Sequence, residues 1–216
     1  CIRPSTMALR WNFFPVYYFV VTCAVGTVLQ GAFYGMAFGW LSVAIAFVLV
    51  DSQTRSLRGY TDELSGLFGR KYMNYCLERI YATQEKDVYG IMMDVNCFKE
   101  INDTYGHAEG DRAIQEIGHI LSGALVANSV AIRMSGDEFM VLIRHGSEEI
   151  MDKTCAAIEQ RVQRYNAAAP AGSFQLSFST GVAKYEGGSV EKFLVELDER
   201  MYAEKRAFHA ARNGHA

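Results

Sequence analysis

Acidic side chains stand at two places where a predicted strand ends or turns. Asp94 follows a nearly continuous apolar run over residues 88–93, which is typical of a strand buried on both faces. Asp137 and Glu138 lie at the tip of a predicted hairpin. We expect these three carboxylates to meet at one sheet edge, with no neutralising Lys or Arg between them. Oxygen ligands of this kind suit Mg²⁺, so the sequence predicts a divalent-cation site.

Each acidic cluster also has an ordinary explanation when it is taken alone. An Asp-Glu pair at a turn is common turn chemistry in contact with solvent. An Asp at the end of a strand often caps the helix that follows. The segment between the clusters, residues 94–111, favours the functional interpretation for the reason given below.

The elements that must position these acids alternate between strands and helices. Strands are predicted at 88–93, at 130–134, at 139–143 and around Phe174, Leu176 and Phe178. Helices are predicted at 70–81 and 98–105, and from apolar stripes at 114–125, 151–165 and 193–201. The order β-α-α-β-β-α-β-α predicts an α+β fold with a ferredoxin-like βαββαβ core and an antiparallel hairpin at its centre.

The N-terminal part of the chain predicts a membrane segment. Residues 13–50 contain no Asp, Glu, Lys, Arg or His. One helix of that length would measure ~57 Å, about twice the hydrocarbon core of a bilayer. Two transmembrane helices broken near Gln30-Gly31 fit better, and this hairpin places four arginines on one side, as the positive-inside tendency requires: Arg3, Arg10, Arg55 and Arg58.

Two alternatives to the membrane hairpin are weaker. A buried helix pair of a soluble protein would show a charged face, and a cleaved signal peptide would be shorter. The predicted organisation is a membrane segment over residues 1–50, a linker over 51–61 and a folded domain over 62–216.

Composition excludes several functional classes. The 216 residues carry a formal net charge of −3 and no Lys/Arg run, which argues against a nucleic-acid binder. The five cysteines form no CxxC pair, so neither a disulfide framework nor a zinc site is predicted.

The segment between the acids carries a specific resemblance. Residues 94–111 read D-V-N-C-F-K-E-I-N-D-T-Y-G-H-A-E-G-D. They closely resemble the GGDEF family of diguanylate cyclases, whose pattern is D-x-D-x-F-K-x-I-N-D-x-x-G-H-x-x-G-D, and only Asn96 departs from it. The resemblance extends over D-E-L-S-G-L at 62–67, R-M-S-G-D-E-F at 133–139, S-T-G-V-A at 179–183 and M-Y-A-E-K at 201–205.

The resemblance implies a bacterial signalling enzyme with a palm-like nucleotide-cyclase fold. Such an enzyme condenses two GTP into cyclic di-GMP, acts as a homodimer and uses Mg²⁺, with Mn²⁺ as the alternative metal. With the predicted hairpin, it would lie at the bacterial inner membrane with a cytoplasmic catalytic domain and no nucleic-acid partner.

The resemblance also implies site residues. Asp94, the backbone carbonyl of Val95 and Asp137 would hold the metal, and Asp137 and Glu138 would be catalytic. Glu138 is either a second-metal ligand or a proton acceptor. The implied substrate-binding residues are Phe98, Lys99, Asn102, His107, Asp111 and Lys205.

Within this substrate-binding set, Asn102 and Asp111 would read guanine, and Lys99 and Lys205 would pair with the β- and γ-phosphates. The alternatives are helix capping for the first pair and exposed helix charges for the second. His107 is expected to fix the local turn and Phe98 to be a core residue.

Three positions depart from the family pattern. Ser135 replaces the first glycine of the name motif, for which we expect modest effects. His209 stands where the family has a phosphate-binding Arg, so triphosphate affinity is lower or Arg206 substitutes. Residues 126–129 lack the R-x-x-D of the product-inhibition site, so no product inhibition is expected there.

Two competing functions are a degenerate domain that binds GTP or a partner protein without turnover, and a relaxed cyclase that makes a mixed purine dinucleotide. Intact metal acids argue against the first, and Asp111 argues against the second.

Overall fold

The computed structural model describes residues 4–33 and 38–213 and divides the chain into two compact units. One unit ends at Tyr60, and the other begins at Thr61. The first unit contains helices α1 (Pro4–Ala32) and α2 (Phe38–Arg58), which pack against each other.

Both helices of the first unit carry exposed apolar side chains. Val28, Trp40 and Phe47 are 72%, 79% and 70% exposed. Over the part of the chain that the structure describes, no helix combines the length and apolar content needed to cross a membrane. The predicted pair of transmembrane helices is therefore not supported by the structure.

The second unit alternates strands and helices in nearly the predicted order. Its elements are β1 (Phe68–Gly69), α3 (Arg70–Thr83), β2 (Val88–Val95), α4 (Phe98–Tyr105), α5 (His107–Ala124), β3 (Ser129–Ser135), β4 (Glu138–Ile143), α6 (Glu148–Ala168), β5 (Phe178–Tyr185) and α7 (Val190–Asn213).

These strands form a five-stranded sheet in the order β1-β3-β4-β2-β5. The predicted hairpin is confirmed, since β3 and β4 pair antiparallel, and β2 is antiparallel to both β4 and β5. Strand β4 lies between β2 and β3, which makes the βαβ unit a split one. The short β1 adds to the edge, parallel to β3.

Strand β2 is buried on both faces, as its apolar run predicted. Ile91 and Met93 belong to a core shared with α5 and α6. Gly90 faces the opposite side, where a Cβ atom would come within 2.7 Å of Phe193 and Leu197 on α7. Asp94 lies on the same side of the alternation as Gly90, and so it faces α7.

The strand predicted around Phe174, Leu176 and Phe178 is placed wrongly, because β5 begins only at Phe178. The side chain of Asn166 explains the difference. It accepts from the backbone amide of Leu176 at 2.8 Å and donates to its carbonyl at 2.7 Å. The side-chain amide of Asn166 thus makes the hydrogen bonds to the Leu176 backbone that a neighbouring strand would otherwise make.

Helix α7 covers the free edge of β5 with two side chains. Glu204 accepts from the backbone amide of Thr180 at 2.6 Å. Arg200 donates to the carbonyl of Val182. Backbone groups on the outer side of the edge strand are therefore occupied at these two residues.

Candidate active site

The predicted meeting of the acids occurs where β2 ends. Asp94 is in register with Glu138 on β4 and with Ser179 on β5. The next backbone amide, that of Val95, donates to the carbonyl of Asp137 at 3.1 Å. Strand pairing therefore brings Asp94 together with the tip of the β3–β4 hairpin.

The expectation that no Lys or Arg neutralises these acids is wrong. Nζ of Lys205 on α7 lies 2.8 Å from Oδ1 of Asp94, whose side chain is 7% exposed. This contact is an ion pair without hydrogen-bond geometry, since the described residues give that buried oxygen no directed donor. Burial lowers the pKa of Lys205, but Asp94 and its acidic neighbours outweigh burial, and the net pKa is raised.

The charge balance at Asp137 fits a cation site. Burial and the negative charge of Asp94 raise the pKa of Asp137 above its usual value. Within the described part of the chain, no three His, Cys, Asp or Glu side chains come close enough to form a complete metal cage. The implied ligands are the carboxylates of Asp94 and Asp137 and the backbone carbonyl of Val95. This set is of the kind that Mg²⁺ uses, because Mg²⁺ takes one or two protein carboxylates and completes its shell with water and phosphate oxygens.

The hairpin tip is open and held by hydrogen bonds. Gly136 has φ of 34°, and a Cβ placed there would meet no described atom within 4 Å. Ser135 donates from its hydroxyl to the carboxylate of Glu138, a bond that glycine at this position cannot make. Nε of Arg133 donates to the carbonyl of Gly136 at 2.9 Å.

Asn96, the departure from the family pattern, lies in a buried network. Its side chain accepts from the Ser179 hydroxyl at 2.6 Å and donates to the Ser177 hydroxyl at 3.2 Å. The amide at position 96 thus anchors the turn after β2 to β5 and the residue before it.

Helix α4 begins directly beside the acids. Cys97 precedes it in a left-handed conformation with φ of 57°, and no described side chain caps the helix start. Phe98 is half-buried and packs against the core, in agreement with the expectation of a core residue. Lys99 is exposed on the first turn.

The two candidate guanine readers lie on adjacent helices. Asn102 is half-buried on α4, and Asp111 is exposed on α5. A Cβ at Gly110 would overlap Oδ1 of Asn102, so the missing side chain allows this close contact. His107 begins α5 directly after Gly106, whose φ of 89° makes the turn between the helices.

Sequence reasoning missed the role of Arg212. Its guanidinium contacts the carboxylate of Glu100 and the thiol of Cys97 at the start of α4. Arg206, named from the sequence as the substitute for the missing Arg, lies over the ring of Tyr202 at 5.1 Å from its centroid. The predicted helix over 193–201 stopped short of both basic residues, whereas α7 continues to Asn213 and carries Lys205 and Arg212, seven residues apart, on one face.

The segment at the position of the product-inhibition site is a tight turn. Ser129 donates from its hydroxyl to the carbonyl of Val126 at 2.8 Å, and Asn128 has φ of 60°.

A sheet edge that joins one buried carboxylate and two half-buried ones to an uncapped helix start defines a candidate site for a metal-bound nucleotide. Residues 59–210 match the family described as diguanylate cyclase, GGDEF domain. The match covers more than half of the chain, and the chain belongs to this family.

Curated relatives are similar over this domain. The probable diguanylate cyclase DgcJ of Escherichia coli K12 is 30% identical over 158 residues, which are 71% of this chain and 31% of that protein. Diguanylate cyclase DgcS of Shewanella oneidensis is 31% identical over 157 residues, 71% of this chain and 52% of that protein. The chain thus spans about a third to a half of the length of these relatives.

Solved structures share the fold. The coiled coil and GGDEF domain of DgcB from Caulobacter crescentus, in complex with c-di-GMP, gives a TM-score of 0.67 at 24% identity over 77% of this chain and 93% of that one. The GGDEF domain of the same protein gives 0.62 at 25% identity over 68% and 91%.

Proposed function

We propose that this chain condenses two GTP molecules into cyclic di-GMP with Mg²⁺. The observation that carries the proposal is the register of Asp94 with Glu138, which brings the acids of two motifs to one sheet edge. Membership of the GGDEF family supports the same activity.

The reaction needs two phosphodiester bonds. The 3′-hydroxyl of each GTP attacks the α-phosphorus of the other, a proton leaves each hydroxyl, and two pyrophosphates depart. A bound divalent cation supplies charge stabilisation on the phosphates. Asp94, the carbonyl of Val95 and Asp137 would hold it, and Glu138 would accept the proton or ligate a second metal.

Lys205 would change its partner when nucleotide binds. In the free protein its ammonium lies beside Asp94, whereas in the proposed complex it would pair with the β- and γ-phosphates and Asp94 would hold the metal. Lys99, exposed on the first turn of α4, is the second candidate phosphate ligand. The amides at the start of α4 add donors, because a helix N-terminus favours anions.

Asn102 and Asp111 would select guanine. A carboxylate accepts from N1–H and the exocyclic amine of guanine, which adenine does not present together. The wrong base would leave polar groups of the site unpaired. The resulting loss of binding energy is what would discriminate against adenine. His107 and Gly106 would shape the turn that carries these two readers.

Each site would bind one GTP, so catalysis requires two copies of the domain facing each other. Specific activity of the full chain should therefore rise with protein concentration over the range in which it dimerises. A specific activity independent of concentration where the protein is monomeric would contradict the dimer.

The test uses the full chain with GTP and Mg²⁺, with ATP as competitor, and identifies the products by mass. Asp94→Asn and Asp137→Asn should each lower the rate by roughly a hundredfold or more, because a metal clamp contributes several kcal/mol to the transition state. Asp152→Asn, which removes an exposed carboxylate on α6, is the matched control.

The same assay separates the alternatives. GTP binding without product would indicate a binding module, and a product that contains adenine would indicate a relaxed cyclase. Undiminished product from both Asp variants would overturn the proposal.

We further propose that residues 1–50 attach the domain to the bacterial inner membrane, with the catalytic unit on the cytoplasmic side. The support is the uncharged stretch over residues 13–50 and the exposure of Val28 and Trp40. Cell fractionation tests this: the full chain should sediment with membranes, and recovery in the high-speed supernatant would contradict it.

A further inference from the structure

A stripe of basic side chains runs along one face of α7. Lys205, His209 and Arg212 follow the spacing i, i+4, i+7, which places side chains on one side of a helix over on the order of 10 Å. Lys205 contacts Asp94 at the end of β2, and Arg212 contacts residues at the start of α4. The stripe therefore follows the turn between β2 and α4.

The contact of Arg212 is two-pronged. One guanidinium nitrogen lies 2.7 Å from Oε1 of Glu100 and the other 2.7 Å from Oε2, and the first also donates to the thiol of Cys97. The hydrogen bond from Arg212 and the charge of its guanidinium lower the pKa of Glu100 below its ordinary value. Both partners remain about half exposed, at 49% and 56%, so the pair is open to exchange with solutes.

The turn that Arg212 faces is suited to an anion. The left-handed residue Cys97 directly precedes α4, and the described side chains leave the helix start uncapped. First-turn amides and the positive end of the helix dipole favour negative charge at this place. In this structure the carboxylate of Glu100 forms the ion pair with the Arg212 guanidinium.

We propose that Arg212 binds the terminal phosphates of the nucleotide and that Glu100 holds its guanidinium in place until the nucleotide arrives. Carboxylate and phosphate both present two oxygens to the guanidinium fork, so one replaces the other without a change of geometry. The exchange releases Glu100 and joins Lys205 and Arg212 on one triphosphate. This inference rests on the proposed function, because it uses the same site.

The assignment differs from the two positions suggested by sequence. His209 falls at the family position but cannot present a fork of donors, and Arg206 lies over Tyr202 on a different face of α7. Arg212 lies about one helical turn after His209 on α7, and its side chain contacts the turn between β2 and α4.

The experiment measures the affinities of GTP and GMP for the full chain by calorimetry without Mg²⁺, so that GTP binds and is not turned over. Arg212→Ala should weaken GTP binding about tenfold and leave GMP binding unchanged, since GMP lacks the β- and γ-phosphates. Arg212→Lys should fall between, because it keeps the charge and loses the fork. Arg206→Ala is the matched control and should bind GTP as the wild type does.

Glu100→Gln should change the affinity for GTP in the opposite direction. It removes the competitor for the guanidinium, so GTP should bind more tightly, and the gain should shrink when Arg212 is already Ala. Arg212→Ala with wild-type affinity for GTP, or with equal losses for GTP and GMP, would overturn the inference alone. Failure of the wild type to bind GTP at all would overturn the proposed function and the inference with it.

Discussion

The guanidinium of Arg133 lies 3.0 Å from the carboxylate of Asp62, although the two residues are 71 positions apart. The same side chain donates to the carbonyl of Gly136 at the hairpin tip. Asp62 in turn accepts from the amide and hydroxyl of Ser65 at 2.8 and 2.7 Å. One arginine thus ties the first turn of the domain to the hairpin that carries the acids.

The turn at Asp62 predicts an acid-sensitive contribution to stability. Burial alone would raise the pKa of Asp62, but hydrogen bonds from Ser65 and Arg133 outweigh it and hold the pKa below its ordinary value of 3.8. A carboxyl with a lowered folded pKa stabilises the fold above its unfolded pKa and loses that effect as pH falls through the folded value.

Asp62→Asn should therefore lower the urea midpoint near neutral pH, and its gap to the wild type should narrow as the pH drops below 3.8. Glu63→Gln removes the exposed neighbouring carboxylate and serves as control. A gap of constant size between neutral and acidic pH would contradict the prediction.

Asn96→Ala should destabilise the domain by about 1–3 kcal/mol, the cost of leaving buried polar groups unpaired. The Ser179 hydroxyl, fully buried, loses its acceptor, and the Ser177 hydroxyl loses its donor. Chemical denaturation measures the change, with Asn74→Ala on the exposed face of α3 as control. Equal stability of both variants would show that the network does not anchor the turn.

Ser135→Ala should change turnover by less than about tenfold, because a single hydrogen bond contributes about 0.5–1.5 kcal/mol. The variant releases Glu138 from its hydroxyl partner and keeps the acid itself. Glu138→Gln should cost far more, since it removes the proposed proton acceptor or metal ligand. Initial rates of product formation compare the two, and equal losses would make Ser135 essential.

Added cyclic di-GMP should not inhibit the enzyme through residues 126–129. This turn is closed by the bond between Ser129 and the Val126 carbonyl and offers no charged side chain to a phosphate or guanine. Rates at increasing product concentration measure this. Tight product binding that Asn128→Ala abolishes would refute it.

The sequence predicted those elements whose pattern is set locally. Helix α4 has the predicted bounds, and β2 lies where its apolar run indicated. The start of β5 was misplaced because residues 174–178 alternate like a strand, while the backbone at Leu176 is paired by a side chain ten residues away. Alternation reports burial, and it carries no information about which group satisfies the backbone.

Within the site, sequence motifs indicated which acids belong together, and the sheet register adds how they meet. The partner of Lys205 and the contacts of Arg212 depend on where α7 crosses the sheet. Such contacts form between distant segments, so residue type and spacing alone could not predict them.

Glu204 and Arg200 have a consequence for how two copies can meet. By occupying the outward amide of Thr180 and the outward carbonyl of Val182, they block the addition of a sixth strand beside β5. Edge-to-edge pairing of the sheets of two molecules, which leads to irreversible aggregation, is thereby disfavoured at this edge. An edge strand covered in this way is compatible with reversible association of two copies, in which the sheet of each copy stays separate.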